Sequence, residues 1–190
     1  MKSFFETRDL MVRKAGMRDI HALMALINGY AAGGIMLPRT EFEMSENIRD
    51  FTVVYKNSQL IGCGALHFYT PTTAEVRSLA VEPAQKANGI GRIIVASLEQ
   101  EAVINELQAI FAFTYVPEFF QKIGFTQVEK GELPLKAWRD CVRCPKFQCC
   151  DEIAMLKPLV PSPVLSPHRD SAKFVIQLPQ LGTLVHSERI

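Results

Sequence analysis

Two glycines, Gly89 and Gly91, stand where an apolar run from Leu79 to Val81 passes through a loop into the most regular helical pattern of the chain. Glycine lets the backbone approach a ligand closely and leaves its N–H groups uncovered. The first turn of a helix adds unpaired N–H donors and the positive end of the dipole. Together they make an anion site of the kind that holds a diphosphate. Lys86 and Arg92 add positive charge at its rim. An ordinary loop before a helix can carry the same two glycines, so the pair alone leaves both readings open. Two nucleotide motifs are excluded: Ile94 takes the place of the third glycine of a Gly-x-Gly-x-x-Gly fingerprint, and no Gly-Lys-Ser/Thr follows.

Just upstream, Glu75 and Arg77 lie two residues apart in a strand-like run, which puts both side chains on one face. A carboxylate there is either a proton acceptor or an edge-strand charge facing solvent. Cys141, Cys144, Cys149 and Cys150 form Cys-x-x-Cys-x4-Cys-Cys. Structural zinc favours two separated Cys pairs, and here the second pair is adjacent, which strains a tetrahedron. No metal is therefore assigned. These four are the only candidates, and a reduced, loop-stabilising cluster is the alternative. His21 and His67 read as structural or partly buried, and His168 falls in a tail.

Strand and helix patterns that must position these groups alternate along most of the chain. MVRKA reads as a strand, followed by a helix with Asp19 near its start and an apolar stripe of Ile20, Leu23, Met24 and Ile27. GYAAGGIMLPR reads as a loop. Thr40 and Glu43 form a capping-box pattern, so a second short helix is expected there, turning Phe42 and Ile48 inward. FTVVY, a KNS turn and LIGCGALHFY read as a hairpin, and TAEVRSLAV as a further strand. In the helix after the glycines, Ile90, Ile94, Leu98 and Ala102 form one apolar line. LQAIFAFT is a buried strand, PEFFQKIG a short helix between Pro117 and Gly124, and FTQVEK and DEIAMLKPL the last strands. The order predicts a mixed sheet with helices on both faces, of α/β or α+β class, over residues 1–160. Residues 161–190 read as a Pro/Ser-rich tail in which KFVIQL is a candidate edge strand.

A chain of 190 residues, 48% hydrophobic, is long enough for one full core, and a net charge of +1 gives no reason to expect nucleic acid or an anionic membrane as partner. The N-terminus has no apolar run of signal-peptide type, and no stretch is long enough to span a bilayer. A cytoplasmic location is expected. A homodimer is left open.

AEVRSLAVEPAQKANGIGRIIVASL resembles the acetyl-CoA-binding motif of the GNAT acetyltransferases, Arg/Gln-x-x-Gly-x-Gly/Ala. Here that motif is Lys86-Ala87-Asn88-Gly89-Ile90-Gly91, with Lys86 departing from Arg or Gln while keeping a donor. PEFFQKIGF resembles the family's next motif, a short helix ending in Gly-Phe. The likeness runs from about Met11 to Leu159 and implies a mixed, mostly antiparallel sheet flanked by helices, with acetyl-CoA as cosubstrate. A narrower resemblance is to short bacterial N-acetylglutamate synthases. It is carried by MLPRTEFEMSENIRDFTVV, GCGALH, AEVRSLAV, PEFFQKIGF with LPLKAW, and the Cys-rich CVRCPKFQCCDEIAM. It implies acetyl transfer to the α-amine of a free amino acid, L-glutamate, the first step of arginine biosynthesis. Longer relatives carry an arginine-binding kinase-like domain for which this chain has no room, so that mode of inhibition is not expected.

The resemblance implies roles residue by residue. Glu75 matches a catalytic glutamate that deprotonates the amine. Leu79, Ala80 and Val81 match the strand whose backbone lines the cofactor and the reacting carbonyl. Phe120 stands where many members have a thiolate-protonating tyrosine, so the proton must come from elsewhere. Tyr115 and Thr114 lie nearby without being assigned. Leu37 and Arg39 match a substrate-binding segment, with Arg77 and Lys136 as further carboxylate partners. Two alternatives stay open: another small amine or a protein N-terminus as acceptor, and a non-catalytic CoA-binding sensor.

Overall fold

The computed structural model describes residues 5–7, 10–133, 142, 144 and 146–159. Strand β3 (Phe51–Lys56) and strand β4 (Gln59–Phe68) form the expected hairpin. Asn57 and Ser58 close it with φ of 49° and 64°, the left-handed pair that matches the twist of a two-residue hairpin. Strand β2 (Leu10–Lys14) adds antiparallel to β3, and β1 (Phe5–Thr7), which sequence patterning had not marked, adds outside it. On the other side come β5 (Thr73–Val81), β6 (Ala109–Thr114), β8 (Ile153–Pro158) and β7 (Thr126–Gln127). The order is β1-β2-β3-β4-β5-β6-β8-β7, and among these pairs β5–β6 alone is parallel. This is the mixed, mostly antiparallel sheet that was expected.

Helices α1 (Ile20–Ala32) and α2 (Glu41–Asn47) cover one face, where Leu23, Ile27 and Met44 pack on Val53, Cys63 and Ala65. The other face carries α3 (Ile90–Ile104) and α4 (Pro117–Gln121) over Val54, Leu66, Val76 and Ile110. The line Ile90, Ile94, Leu98 and Ala102 is buried throughout. The helix can approach the sheet closely because β4 presents glycines to it. A Cβ on Gly64 would stand 2.7 Å from the Ile94 side chain, and one on Gly62 would stand 2.9 Å from Ile90.

Four sequence expectations are corrected. α1 continues through Gly29 to Ala32, so the loop begins only at Gly33; nothing crowds a side chain at Gly29, which sits in the helix at the cost of propensity alone. Phe42 is 71% exposed, and Met44 turns inward instead. Met44 and Ile48 are four residues apart and share a stripe, whereas Phe42 lies two positions from Met44, on the far side of the helix. The strand expected in FTQVEK reduces to Thr126–Gln127. His21 is exposed rather than partly buried. Lys136, Cys141 and the tail with KFVIQL lie outside the described residues. Among the described residues, no helix is long and apolar enough to cross a membrane.

Candidate active site

The parallel ladder pairs Thr73 with Ala109, Ala74 with Ile110 and Glu75 with Phe111, and goes no further. Beyond it β5 continues to Val81 along β4, while β6 continues to Thr114 along β8. The strands therefore part at Glu75. On the β4 side, the register shifts between Cys63 and Ala65, with Ser78 held at φ 51°. This bulge reverses the alternation of β5. Before it, Glu75 and Arg77 share the α1–α2 face with their cross-strand partners His67 and Ala65; after it, Ala80 lies in that face's core while Leu79 and Val81 pack toward α3. A bulge leaves backbone groups outside the ladder and re-aims side chains, a device common beside active sites. Leu79, Ala80 and Val81 thus line the open side of a fork whose apex is Glu75.

The turn into α3 lies at the mouth of this fork. Gly89 is the helix N-cap at φ 77°, a conformation open to glycine, and no side chain caps the helix. The exposed residues Lys86, Ala87, Asn88, Gly89 and Arg92 surround it, with Ala87 also left-handed at φ 66°. A side chain at Gly89 would meet nothing within 4 Å; one at Gly91 would stand 3.2 Å from the ring of Phe119. The two glycines therefore differ: Gly89 faces open space, and Gly91 makes room for α4. Backbone donors at an uncapped helix start suit the diphosphate of CoA, and the open β5 edge suits its extended arm. The Lys86 ammonium lies over the Tyr30 ring, 5.0 Å from its centre, and the Tyr30 hydroxyl donates to the Val81 carbonyl at 2.6 Å. Lys86 is thus drawn toward α1. Ile90 and Phe120 are buried; the Phe120 ring stacks edge-on with Phe119 and Phe125, so its side chain belongs to the core.

On the α1–α2 face, Arg39 and Arg77 line one small depression together with Glu43, Met44, Asn47 and Phe51. The two arginines expected to act as carboxylate partners thus border the same space. Leu37 is half-buried in the same loop. The Asn28 side-chain amide clamps the backbone of Arg39, donating to its carbonyl at 3.0 Å and accepting from its N–H at 2.8 Å. The Thr40–Glu43 capping box begins α2 in the next residue. Arg77 donates to the Asn47 side chain at 3.4 Å and lies 3.9 Å from Asp50 Oδ2, which also meets His67 Nδ1 at 2.6 Å. Glu75 is almost fully buried and accepts from the Tyr69 hydroxyl at 3.0 Å. The Tyr69 ring stacks against His67 and Phe111.

At the end of β6, Thr114 accepts from the Val116 N–H, so its hydroxyl is committed to the turn. The Tyr115 hydroxyl donates to Asp151 at 2.9 Å and accepts from Lys146 at 3.2 Å. Partial burial raises the phenol's pKa; Lys146 opposes this and Asp151 adds to it, so the group keeps its proton at neutral pH. Cys144, Cys149 and Cys150 are free thiols, and the described residues hold no cluster of three or more ligands suited to a metal.

Four features escaped sequence reasoning: Asn28, Tyr69, the Asp50–His67 pair and the Ser78 bulge. Only His67 and Tyr69 left a signal, since they alternate in LHFY and must share a face of their strand.

The model of the acetyltransferase (GNAT) family matches residues 17–125, more than half the chain. An uncharacterized N-acetyltransferase of Chlorobaculum tepidum is 44% identical over 153 residues, covering 80% of this chain and 97% of that protein. An amino-acid acetyltransferase of Mycobacterium tuberculosis is 37% identical over 122 residues, covering 63% of this chain and 70% of the relative. Among solved structures, a Mycobacterium tuberculosis protein in complex with CoA superposes with a TM-score of 0.68 at 30% identity, over 78% of this chain and 99% of that one. The N-acetylglutamate synthase of Neisseria gonorrhoeae, complexed with coenzyme A and N-acetyl-glutamate, superposes with a TM-score of 0.74 at 24% identity. This chain spans 36% of that synthase's length and shares its fold. With a forked β5–β6 pair, an uncapped Gly89 turn and these matches, the chain belongs to the GNAT family of acetyltransferases, enzymes that take their acetyl group from acetyl-CoA.

Proposed function

We propose that the acceptor is the α-amine of a free amino acid, L-glutamate, and that the product is N-acetylglutamate, which starts arginine biosynthesis. One observation carries this reading: Arg39 and Arg77, from separate elements, line one depression on the sheet face that bears Glu75. Two guanidinium groups suit a substrate with two carboxylates, whereas a polyamine would need an acidic surface. The relative named an amino-acid acetyltransferase supports the same class of acceptor.

In this reading Arg39 and Arg77 hold the carboxylates and direct the amine toward the fork apex. An ammonium has no lone pair, so Glu75 removes a proton before attack, directly or through one water. Its bond from Tyr69 orients the carboxylate. The backbone of Leu79–Val81, freed from a second ladder, offers N–H groups to the carbonyl oxygen as charge develops there. Gly89, Ile90 and Gly91, with Asn88 and Ala87 leading into them, hold the diphosphate at the helix start, and Lys86 and Arg92 supply charge around it. Lys136 is a further carboxylate partner in this proposal.

A thiol-release assay with acetyl-CoA against a panel of free amino acids tests the reading. Glutamate should give the highest kcat/KM. Faster turnover of spermidine or a peptide N-terminus would overturn the acceptor, and thiol release with no amine in the panel would overturn catalysis itself.

A further inference from the structure

We propose that His67, fixed by Asp50, relays to solvent the proton that Glu75 collects from the substrate amine; this rests on the acetyl-transfer reading above.

The proton balance creates the need. An ammonium N–H bond breaks, its electron pair stays on nitrogen, and the proton forms an O–H bond on Glu75. The amine's pair then forms the N–C bond, the C–S bond breaks with its pair on sulfur, and the second nitrogen proton ends on the thiolate. One proton per turnover remains on Glu75. That residue is only 9% exposed, so a neighbour with better access to solvent shortens the route by which it is unloaded before the next cycle.

His67 is the cross-strand register partner of Glu75, on the same face of the sheet. Its Nδ1 lies 2.6 Å from Asp50 Oδ2. A carboxylate only accepts, so Nδ1 carries the hydrogen, and the site for a further proton is Nε2. Among the described residues, Nε2 has no hydrogen-bond partner. The His67 side chain is 17% exposed and reaches solvent. Tyr69 touches both groups, its ring 5.0 Å from that of His67 and its hydroxyl on Glu75. The charged and titratable surroundings of His67 are therefore Asp50, Tyr69 and Glu75, with Arg77 on the Asp50 carboxylate and Lys14 on the Asp50 carbonyl. This is the arrangement of a positioned base whose third group fixes its tautomer.

The test uses the full chain and whichever amine in the panel turns over fastest, so it does not depend on glutamate. His67→Gln keeps a donor for Asp50 and controls for folding; His67→Ala opens space for an exogenous base. Both should lower kcat on the order of tenfold or more while leaving the KM for acetyl-CoA unchanged. Added imidazole should restore kcat in His67→Ala, and in a Glu75→Gln background His67→Ala should cost nothing further. Wild-type kcat in His67→Gln would overturn the relay. So would a loss in His67→Ala that imidazole leaves untouched and that multiplies with Glu75→Gln. A wild-type enzyme that acetylates no amine at all would overturn the underlying reading and the relay with it.

Discussion

Two carboxylate clusters lie on the same face of the sheet and differ in how completely their oxygens are used. Asp19 accepts four hydrogen bonds: from Arg13 through both terminal nitrogens at 2.7 Å, from the Gly16 N–H at 2.7 Å and from the Tyr55 hydroxyl at 2.8 Å. It is 2% exposed, and Arg13 also stacks over the Tyr55 ring. Burial alone would raise its pKa; the bonds from Arg13, Gly16 and Tyr55 together outweigh that and hold it at about 2. Asp50, between α2 and β3, meets His67 closely but Arg77 only at 3.9 Å, and it remains 21% exposed. A closed cluster ties β2, β3 and the start of α1 together. An open one keeps positive groups within reach of something that arrives later. Charge density alone would not separate the two; the completeness of bonding does.

The comparison breaks most sharply at Asp19. Asp19→Ala leaves Arg13 largely buried without its carboxylate and should destabilise the fold by about 3 kcal/mol, read in urea melts. Catalytic parameters of the molecules that remain folded should hardly change. The pH dependence has a definite sign. The folded pKa lies below the ordinary carboxylate value of 3.8, so the contribution, about 2 kcal/mol, is present at neutral pH. It is lost as pH falls below about 4 toward 2, and the acid midpoint of the variant should be correspondingly less steep. Equal acid sensitivity in wild type and variant would show that the cluster is not closed.

Glu75 should behave in the opposite way. Glu75→Gln should keep its bond with Tyr69 and its melting temperature while kcat falls about a hundredfold. The deficit should shrink at higher pH, where more substrate amine is already neutral. A variant with wild-type turnover at neutral pH would assign Glu75 to structure.

How far such contrasts are legible in sequence depends on whether the determinant is local. The α3 stripe, the KNS turn and the Gly89 helix start are written in residues a few positions apart, and all three are found. The capping box at Thr40 was equally local, yet the direction of Phe42 was not, because inward and outward depend on where the sheet lies. The Ser78 bulge has no local signature, since nothing in VRSLAV marks a serine for the left-handed region. It nonetheless decides which way Leu79, Ala80 and Val81 point. Arg39 and Arg77 were recognisable as carboxylate partners from their residue type and the family resemblance; that they line one small depression with Glu43, Met44, Asn47 and Phe51 is a long-range fact.

Arg39 tests the open side more finely. Removing one charge-assisted contact should cost roughly 2 kcal/mol in transition-state binding. Arg39→Ala should therefore lower kcat/KM for glutamate about thirtyfold and leave acetyl-CoA affinity intact by calorimetry. If the variant is silent, Arg77 or Lys136 carries the carboxylates.

The smallest effect is expected at Asn28, and it bears on how an open cluster stays ordered. Arg39 sits in a loop between two helices, where ordering the backbone on binding costs entropy unless it is already fixed. The Asn28 amide supplies that fixation through two hydrogen bonds to the Arg39 N–H and carbonyl, from a helix whose neighbouring residue Ile27 is fully buried. Each such bond contributes about 1 kcal/mol net. Asn28→Ala should therefore raise the KM for the amino acid several-fold, keep kcat within about twofold and leave acetyl-CoA binding unchanged. Asn28→Asp retains the acceptor for the Arg39 N–H but sets a carboxylate against its carbonyl, so it should fall between the two. If Asn28→Ala lowers kcat as far as Glu75→Gln does, the clamp acts on the fork rather than on Arg39. If KM for the amino acid is unchanged, Arg39 is held by the capping box of α2 alone, and Thr40→Ala should then show the shift that Asn28→Ala lacks.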